Sequence, residues 1–264
     1  MELQGSLQMT SKYFFKVAKK LIIIFIWLVI WQLLANVIGV SFIFPSVTDV
    51  LKALLELIGT KDYYRIILSS GLRISIGFLM AFVVGIITAT LAGRFKIIKA
   101  FLEPVMQLLK TIPVTSFIIL VLIWAGSQNV SIVISFIITL PMIYSGLLSG
   151  IAQVDIKLIQ MSHIFRMSKI KTLKYIYIPQ VYPYIVSSLK VAIGMCWKAG
   201  ISAEVIGLSK NSIGTQMYYS KLYLMTAQLF AWSITVVVVS FLAEKIFLVI
   251  MRIIKDIIFR EFGK

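Results

Sequence analysis

IILSSGLRISIGFLMAFVVGIITATLA, residues Ile66 to Ala92, carries a single charged side chain, Arg73. A bilayer's hydrocarbon core is about 30 Å thick, and a helix crosses it in roughly 20 residues. The run is long enough to cross and too apolar for the surface of a soluble protein. The runs Leu21–Gly39, Ile98–Trp124, Val130–Gly150, Tyr184–Gly207 and Thr226–Ile250 share its character. The expected fold is therefore an all-α membrane protein with six transmembrane helices, built as a single domain over residues 1–264.

The composition agrees. Of 264 residues, 60% are hydrophobic and 14% charged, against about a quarter charged in soluble domains. The net charge is +16, yet the basic residues fall between apolar runs. They are not gathered on one soluble face as in a nucleic-acid binder. A single cysteine, Cys196, and a single histidine, His163, exclude a disulfide framework and His-pair or multi-thiolate metal sites. The basic start (Lys12, Lys16, Lys19, Lys20) leads into an apolar run longer than a signal-peptide core, which predicts an uncleaved anchor.

The connecting segments sort by charge. Arg94, Lys96 and Lys99 fill one short loop. Lys157, Arg166, Lys169, Lys171 and Lys174 fill a long one, and Arg252, Lys255, Arg260 and Lys264 fill the tail. The alternate segments balance their charge (Val40 to Arg65), carry none (Ala125–Asn129), or hold only Lys210 and Lys221 (Leu208 to Met225). Positive charge is retained on the cytoplasmic side. Six crossings then place both termini (residues 1–20 and 251–264) in the cytoplasm of a multi-pass inner-membrane protein. Pro45-Ser46 before Val47 to Ile58 predicts a short capped amphipathic helix at the outer surface. There is no G-x-x-x-x-G-K-[ST] run, so no phosphate loop for ATP is expected in this chain.

The cytoplasmic loop 153–183 is far longer than a passive connector needs. On a helical wheel, Ile156, Ile159, Ile164 and Met167 share one face, with Leu158, Met161 and Phe165 roughly opposite. A second apolar stripe suits a helix docked in a groove of a cytoplasmic partner. An interfacial helix touching lipid headgroups fits the periodicity equally well.

The loop's residues resemble a known signature. Gln160-Met-Ser-His-Ile-Phe-Arg166-Met-Ser-Lys, then Tyr177-Ile-Pro179, is similar to the coupling loop of binding-protein-dependent ABC importer permeases: E-A-A-x-x-x-G, a gap, then L-P. Asp155 matches the acidic residue that precedes it. Gln160 stands for the motif's Glu, Met161 and Ser162 for its alanines, and Arg166 for its glycine. Because glycine permits a sharp turn there, Arg166 leads to the expectation of a more continuous helix or a different turn. Elsewhere, Phe44-Pro45-Ser46, Leu72-Arg73-Ile-Ser-Ile-Gly77-Phe78, Glu103-Pro104, Lys110-Thr-Ile-Pro113, Ile123-Trp124-Ala-Gly126 and Ala203-Glu204-Val-Ile-Gly207 with Ile213-Gly214 resemble, in order, segments of the nitrate/sulfonate/taurine/bicarbonate subgroup.

The resemblance implies a type I ABC importer permease with a cytoplasmic coupling helix. Its ATPase-coupling residues would be Asp155, Leu158, Gln160, Met161, Ser162, Phe165, Arg166, Met167, Ser168 and Pro179. It implies two copies of a cytoplasmic ATPase that bind ATP and Mg, an extracytoplasmic substrate-binding protein, and a second permease subunit, commonly a homodimer. The chain would bind no cofactor, metal or nucleic acid itself, would catalyse nothing, and would form the pathway for a small solute, anions among the candidates. Charge within a span usually faces a cavity or a partner, so Lys110, Pro113, Lys198 and Glu204 are the pathway candidates. Snorkelling, or a Lys198–Glu204 pair, is the plainer alternative. Gly77, Gly85, Gly93, Gly194 and Gly200 are expected at close helix approaches. The competing function is a channel or secondary-transporter component with no ATPase. A membrane enzyme would want clustered His, Asp or Glu, which the sequence lacks.

Overall fold

The computed structural model describes residues 2–259, with side chains over 18–257. Arg260 and Lys264 of the basic tail, and the side chains of Lys12 and Lys16, lie outside the described residues. The described chain is helical throughout: α1 (Glu2–Ile38), α2 (Val47–Ile58), α3 (Lys61–Arg94), α4 (Lys96–Thr111), α5 (Val114–Ala152), α6 (Ile156–Ile164), α7 (Lys169–Thr172), α8 (Ile178–Gly207), α9 (Ile213–Leu222) and α10 (Thr226–Phe259). Five segments are long and apolar enough to cross a membrane: Ala18–Ile38, Lys61–Arg94, Val114–Ala152, Lys169–Gly207 and Thr226–Ile257.

The predicted span Ile98–Trp124 is not one helix. Pro113 has no N–H to continue the ladder and disfavours helical backbone at Ile112 before it. The chain is extended at both residues, ending α4 and starting α5. The expected break between the next two spans is sharper than a loop. Gly126, at φ 72° and ψ 171°, is the non-helical residue inside α5. One apolar cluster then holds Ile118 and Val121 from before Gly126 together with Val130, Ile134 and Ile138 from after it. Leu122 and Val130 both lie against Gly207. The two arms of α5 therefore lie side by side.

The chain sorts into two compact units. One comprises α1, α2 and the segment Tyr219–Trp232; the other comprises Lys61–Tyr218 and the chain from Ser233 onward. In the first, Ser46 caps α2 as the sequence predicts, its Oγ accepting from Asp49 N at 3.1 Å. Asp49 also places negative charge at the positive end of the helix dipole. Trp31 Nε1 donates to Pro45 O at 3.0 Å, and Gln32 Oε1 accepts from Val47 N at 3.0 Å. These two bonds tie α1 to the start of α2.

The second unit is organised by small residues. Gly77, Ala81, Gly85, Ala89 and Gly93 recur every fourth position on α3, the spacing of one helix ridge. A Cβ added to Gly77 would collide with the backbone oxygen of Ile132, and one on Gly85 would lie 2.8 Å from Ile143 Cγ2. Without a hydrophobic drive between helices in lipid, such close backbone approach supplies the packing. Gly200 meets α3 at Ile74 and α5 at Ser135 in the same way. Gly194 differs from the expectation: nothing lies within 4 Å of its would-be Cβ, so it makes no close approach within this chain.

Candidate functional site

The loop after α5 is built by local capping. Asp155 starts α6, its Oδ1 accepting from Lys157 N at 2.8 Å. Asp155 N donates to Gln180 Oε1 at 2.9 Å, while Gln180 Nε2 donates to Ile176 O at 3.2 Å. Gln180 thus ties the start of α6 to the start of α8, a role the sequence did not suggest. Pro179 lies where helical backbone passes from one register into α8; lacking an N–H, it cannot continue an unbroken α-helical ladder. A π-helical turn, Leu173–Tyr177, precedes it.

Arg166 does not prolong α6, contrary to expectation. It takes φ 50°, in the left-handed region. Arg166 N donates to His163 O at 3.1 Å and Met167 N to Ser162 O at 2.9 Å. This pair of bonds is the Schellman ending of a helix, normally assigned to glycine. Arg166 therefore takes the left-handed position where glycine usually ends a helix, and Ser168 then caps α7 by accepting from Lys171 N at 3.3 Å.

The inward side of α6 is narrower than the sequence wheel predicts. Ser162 is buried, and Ile159 and Met167 are half-buried, but Ile156 and Ile164 are exposed. The buried direction runs through Ile159 and Ser162, leaving the flanking isoleucines at least a quarter-turn away. The outward side carries Ile164 at 79% exposure and Phe165 at 73%, with Leu158 and Met161 also exposed. Gln160 is exposed beside them. These apolar side chains sit among Lys157, Lys169 and Lys171, all exposed.

The pathway candidates separate into two kinds. Lys110 (last turn of α4), Pro113 and Lys198 are exposed. Lys198 shares one face of α8 with Val191, Gly194 and Ser202, all exposed. It lies nine residues before the end of α8, about 14 Å along the axis at 1.5 Å per residue. Glu204 is instead wholly buried, and its partner is Arg73, not Lys198. Arg73 Nη1 lies 3.8 Å from Glu204 Oε1, and Ser70 Oγ donates to Glu204 Oε2 at 2.8 Å. Gly214 N donates to the same oxygen at 3.2 Å, and Ile213 N donates to Ser70 Oγ at 2.9 Å. Arg73 Nη2 reaches Lys210 O at 2.9 Å and Gln128 Oε1 at 3.2 Å. Ser209 Oγ donates to Ser127 O. The sequence placed Arg73 and Glu204 in separate motifs and gave no signal that they meet across the fold.

Residues 81–260 match the binding-protein-dependent transport system inner membrane component. The chain belongs to that family. It is an ABC importer permease of the nitrate/sulfonate/taurine/bicarbonate group, and a multi-pass membrane protein. The permease is 30% identical to the nitrate import permease protein NrtB of Synechocystis sp. over 203 residues, covering 72% of each chain. It is 27% identical to NrtB of Synechococcus elongatus over 191 residues, covering 69% of this chain and 68% of that protein. It is 22% identical to the taurine transport system permease protein TauC of Escherichia coli over 224 residues, covering 82% of this chain and 81% of that protein.

Proposed function

We propose that the chain forms the translocation pathway of an ATP-driven importer and couples through α6 to a separate cytoplasmic ATPase. The observation that carries this reading is the outward side of α6. Leu158, Met161, Ile164 and Phe165 project from a capped, sharply ended helix, in a loop whose sequence resembles the family's coupling loop. Burying about 25 cal/mol per Å² of apolar surface makes a partner groove the favourable place for them. Asp155, Gln160, Ser162, Arg166, Met167, Ser168 and Pro179 shape the helix ends and their approach to α8.

The proposed assembly has two copies of this chain, two ATPase subunits that bind ATP and Mg, and an extracytoplasmic binding protein. Six crossings are supported by the fold-back at Gly126, with α4 and the first arm of α5 together making the third crossing. Both termini then lie in the cytoplasm. Alternating access needs two packings close in energy, and the ATPase would bias between them through α6. The substrate class is a small solute bearing an anionic oxo group, by analogy with relatives named for nitrate and taurine. Lys198 supports that choice: an exposed ammonium at this depth needs water, a partner subunit or an anionic solute. Lys110 and Pro113 would flank the same route.

The test is a pull-down of the tagged, detergent-solubilised chain with assay of ATP hydrolysis. An ATPase subunit recovered with the native chain, and lost with Leu158→Asp and Phe165→Asp at unchanged yield, is the expected result. An intact ATPase-free oligomer would instead indicate a channel or secondary transporter.

A further inference from the structure

Four parts of the second unit converge on one ion pair whose carboxylate is wholly buried and whose guanidinium reaches the surface: α3 through Ser70 and Arg73, the second arm of α5 through Ser127 and Gln128, the end of α8 through Glu204, and the following loop through Ser209, Lys210, Ile213 and Gly214. The loop is strained, since Leu208 and Asn211 both hold positive φ, at 48° and 50°. Non-glycine residues persist there only where the surroundings over-determine them. The surroundings do so. Ser212 Oγ accepts from Thr215 N at 3.1 Å, and Thr215 Oγ1 donates to Ser209 O at 2.8 Å. Gly214 lies so close to Glu204 and Val205 that a Cβ would collide with both.

We propose that Arg73 and Glu204 form a clasp that stays shut through the transport cycle, making α3, the second arm of α5, α8 and the loop 208–213 one rigid moving body. The proposal rests on the permease reading above. Opening the clasp would leave a wholly buried carboxylate without its cation. Parting α3 from α8 would also strip the Ile213 N–H of its acceptor and Glu204 Oε2 of a donor, since both bond Ser70 Oγ. Water does not reach either side chain to take the lost partner's place, since Glu204 has no exposed surface and Ser70 has none. The access change therefore occurs elsewhere, at surfaces this body presents as a whole. Arg73 and Glu204 are positioning residues and touch no solute.

Gln128 and Lys210 report on the clasp, because one nitrogen of Arg73 bonds both and both residues are exposed. Cysteines replace both in a Cys196→Ser background, and the complete assembly with its co-purified ATPase is treated with a short bifunctional thiosulfonate. The clasp predicts equal cross-link yield in nucleotide-free and vanadate-trapped assemblies, with ATP hydrolysis within about twofold of the untreated rate. A yield that collapses on trapping, or a loss of hydrolysis of about tenfold or more that reduction restores, would show a gate and overturn the proposal. Failure to cross-link in either state contradicts the geometry itself. If no ATPase co-purifies, the permease reading fails first and takes the clasp's place in the cycle with it, so the two failures are distinguishable.

Discussion

Arg166 shows how a backbone requirement outlasts the residue that usually meets it. The helix-ending bonds from Arg166 and Met167 demand left-handed φ, and a non-glycine residue there costs about 1 kcal/mol or more. Arg166→Gly should therefore raise stability by about 0.5–1 kcal/mol, and Arg166→Val should lower it, both read from thermal midpoints in detergent. The sequence exposed the substitution but not the turn, because left-handed φ at an arginine follows from the closing hydrogen bonds and not from propensity. Glu204 is the second case. Read alone, an acid near the end of a span suggests a pathway; the structure gives it to Arg73, some 130 positions away in sequence. Such long-range pairing leaves no trace in local pattern. Removing one partner of a buried pair costs about 3–5 kcal/mol. Glu204→Ala and Arg73→Ala should each destabilise by that order in denaturation, and the double variant by clearly less than the sum. Lys198 is exposed and should behave otherwise: Lys198→Met should leave stability unchanged and cut uptake, whereas unchanged uptake in Lys198→Met and Lys110→Met would remove both lysines from the pathway.

At the level of elements, hydropathy alone located the apolar centres of α3, α8, α10 and the anchor in α1, although α10 runs nine residues past its predicted end and α8 starts six residues before its predicted start. Long apolar runs have one stable solution in lipid, a helix that satisfies its own backbone. The capped helix α2 was equally legible, since Pro45 and Ser46 act locally. Between Ile98 and Gly150 the uncharged stretch Ala125–Asn129 marked the reversal, and Gly126 makes it. Hydropathy cannot see that Pro113 breaks the run Ile98–Trp124 into two helices, nor that a single glycine suffices for the turn. The ridge from Gly77 to Gly93 explains why the elements pack where they do. Gly85→Leu should force α3 from α5 at a cost of about 1–3 kcal/mol, while the same change at Gly194, which meets nothing in this chain, should leave the isolated chain as stable as before. The fold-back makes a topological prediction as well. In cells carrying Cys196→Ser, Asn129→Cys should react with an impermeant maleimide from outside, and Ser168→Cys only after permeabilisation. Labelling of both from one side would contradict six crossings.

Across the whole molecule, exposed apolar side chains fall mainly on the long helices, and among the described residues α6 carries a further set beside exposed lysines. Its membrane faces need no explanation beyond lipid, but Ile164 and Phe165 on α6 stand beside a basic loop, where the positive-inside rule expects cytoplasm. The family was readable from ordered short motifs even where their centre had changed, as at Gln160, Met161, Ser162 and Arg166. The substrate was not, because no motif in this chain distinguishes one small solute from another. The central claim is that this chain is the membrane half of an ATP-driven assembly. It is tested most directly by native mass spectrometry of the tagged complex released from detergent. The account predicts a particle of two copies of this chain with two copies of an ATPase subunit, the ATPase copies shed when Phe165→Asp is introduced. A particle containing only this chain, in any copy number, would contradict it.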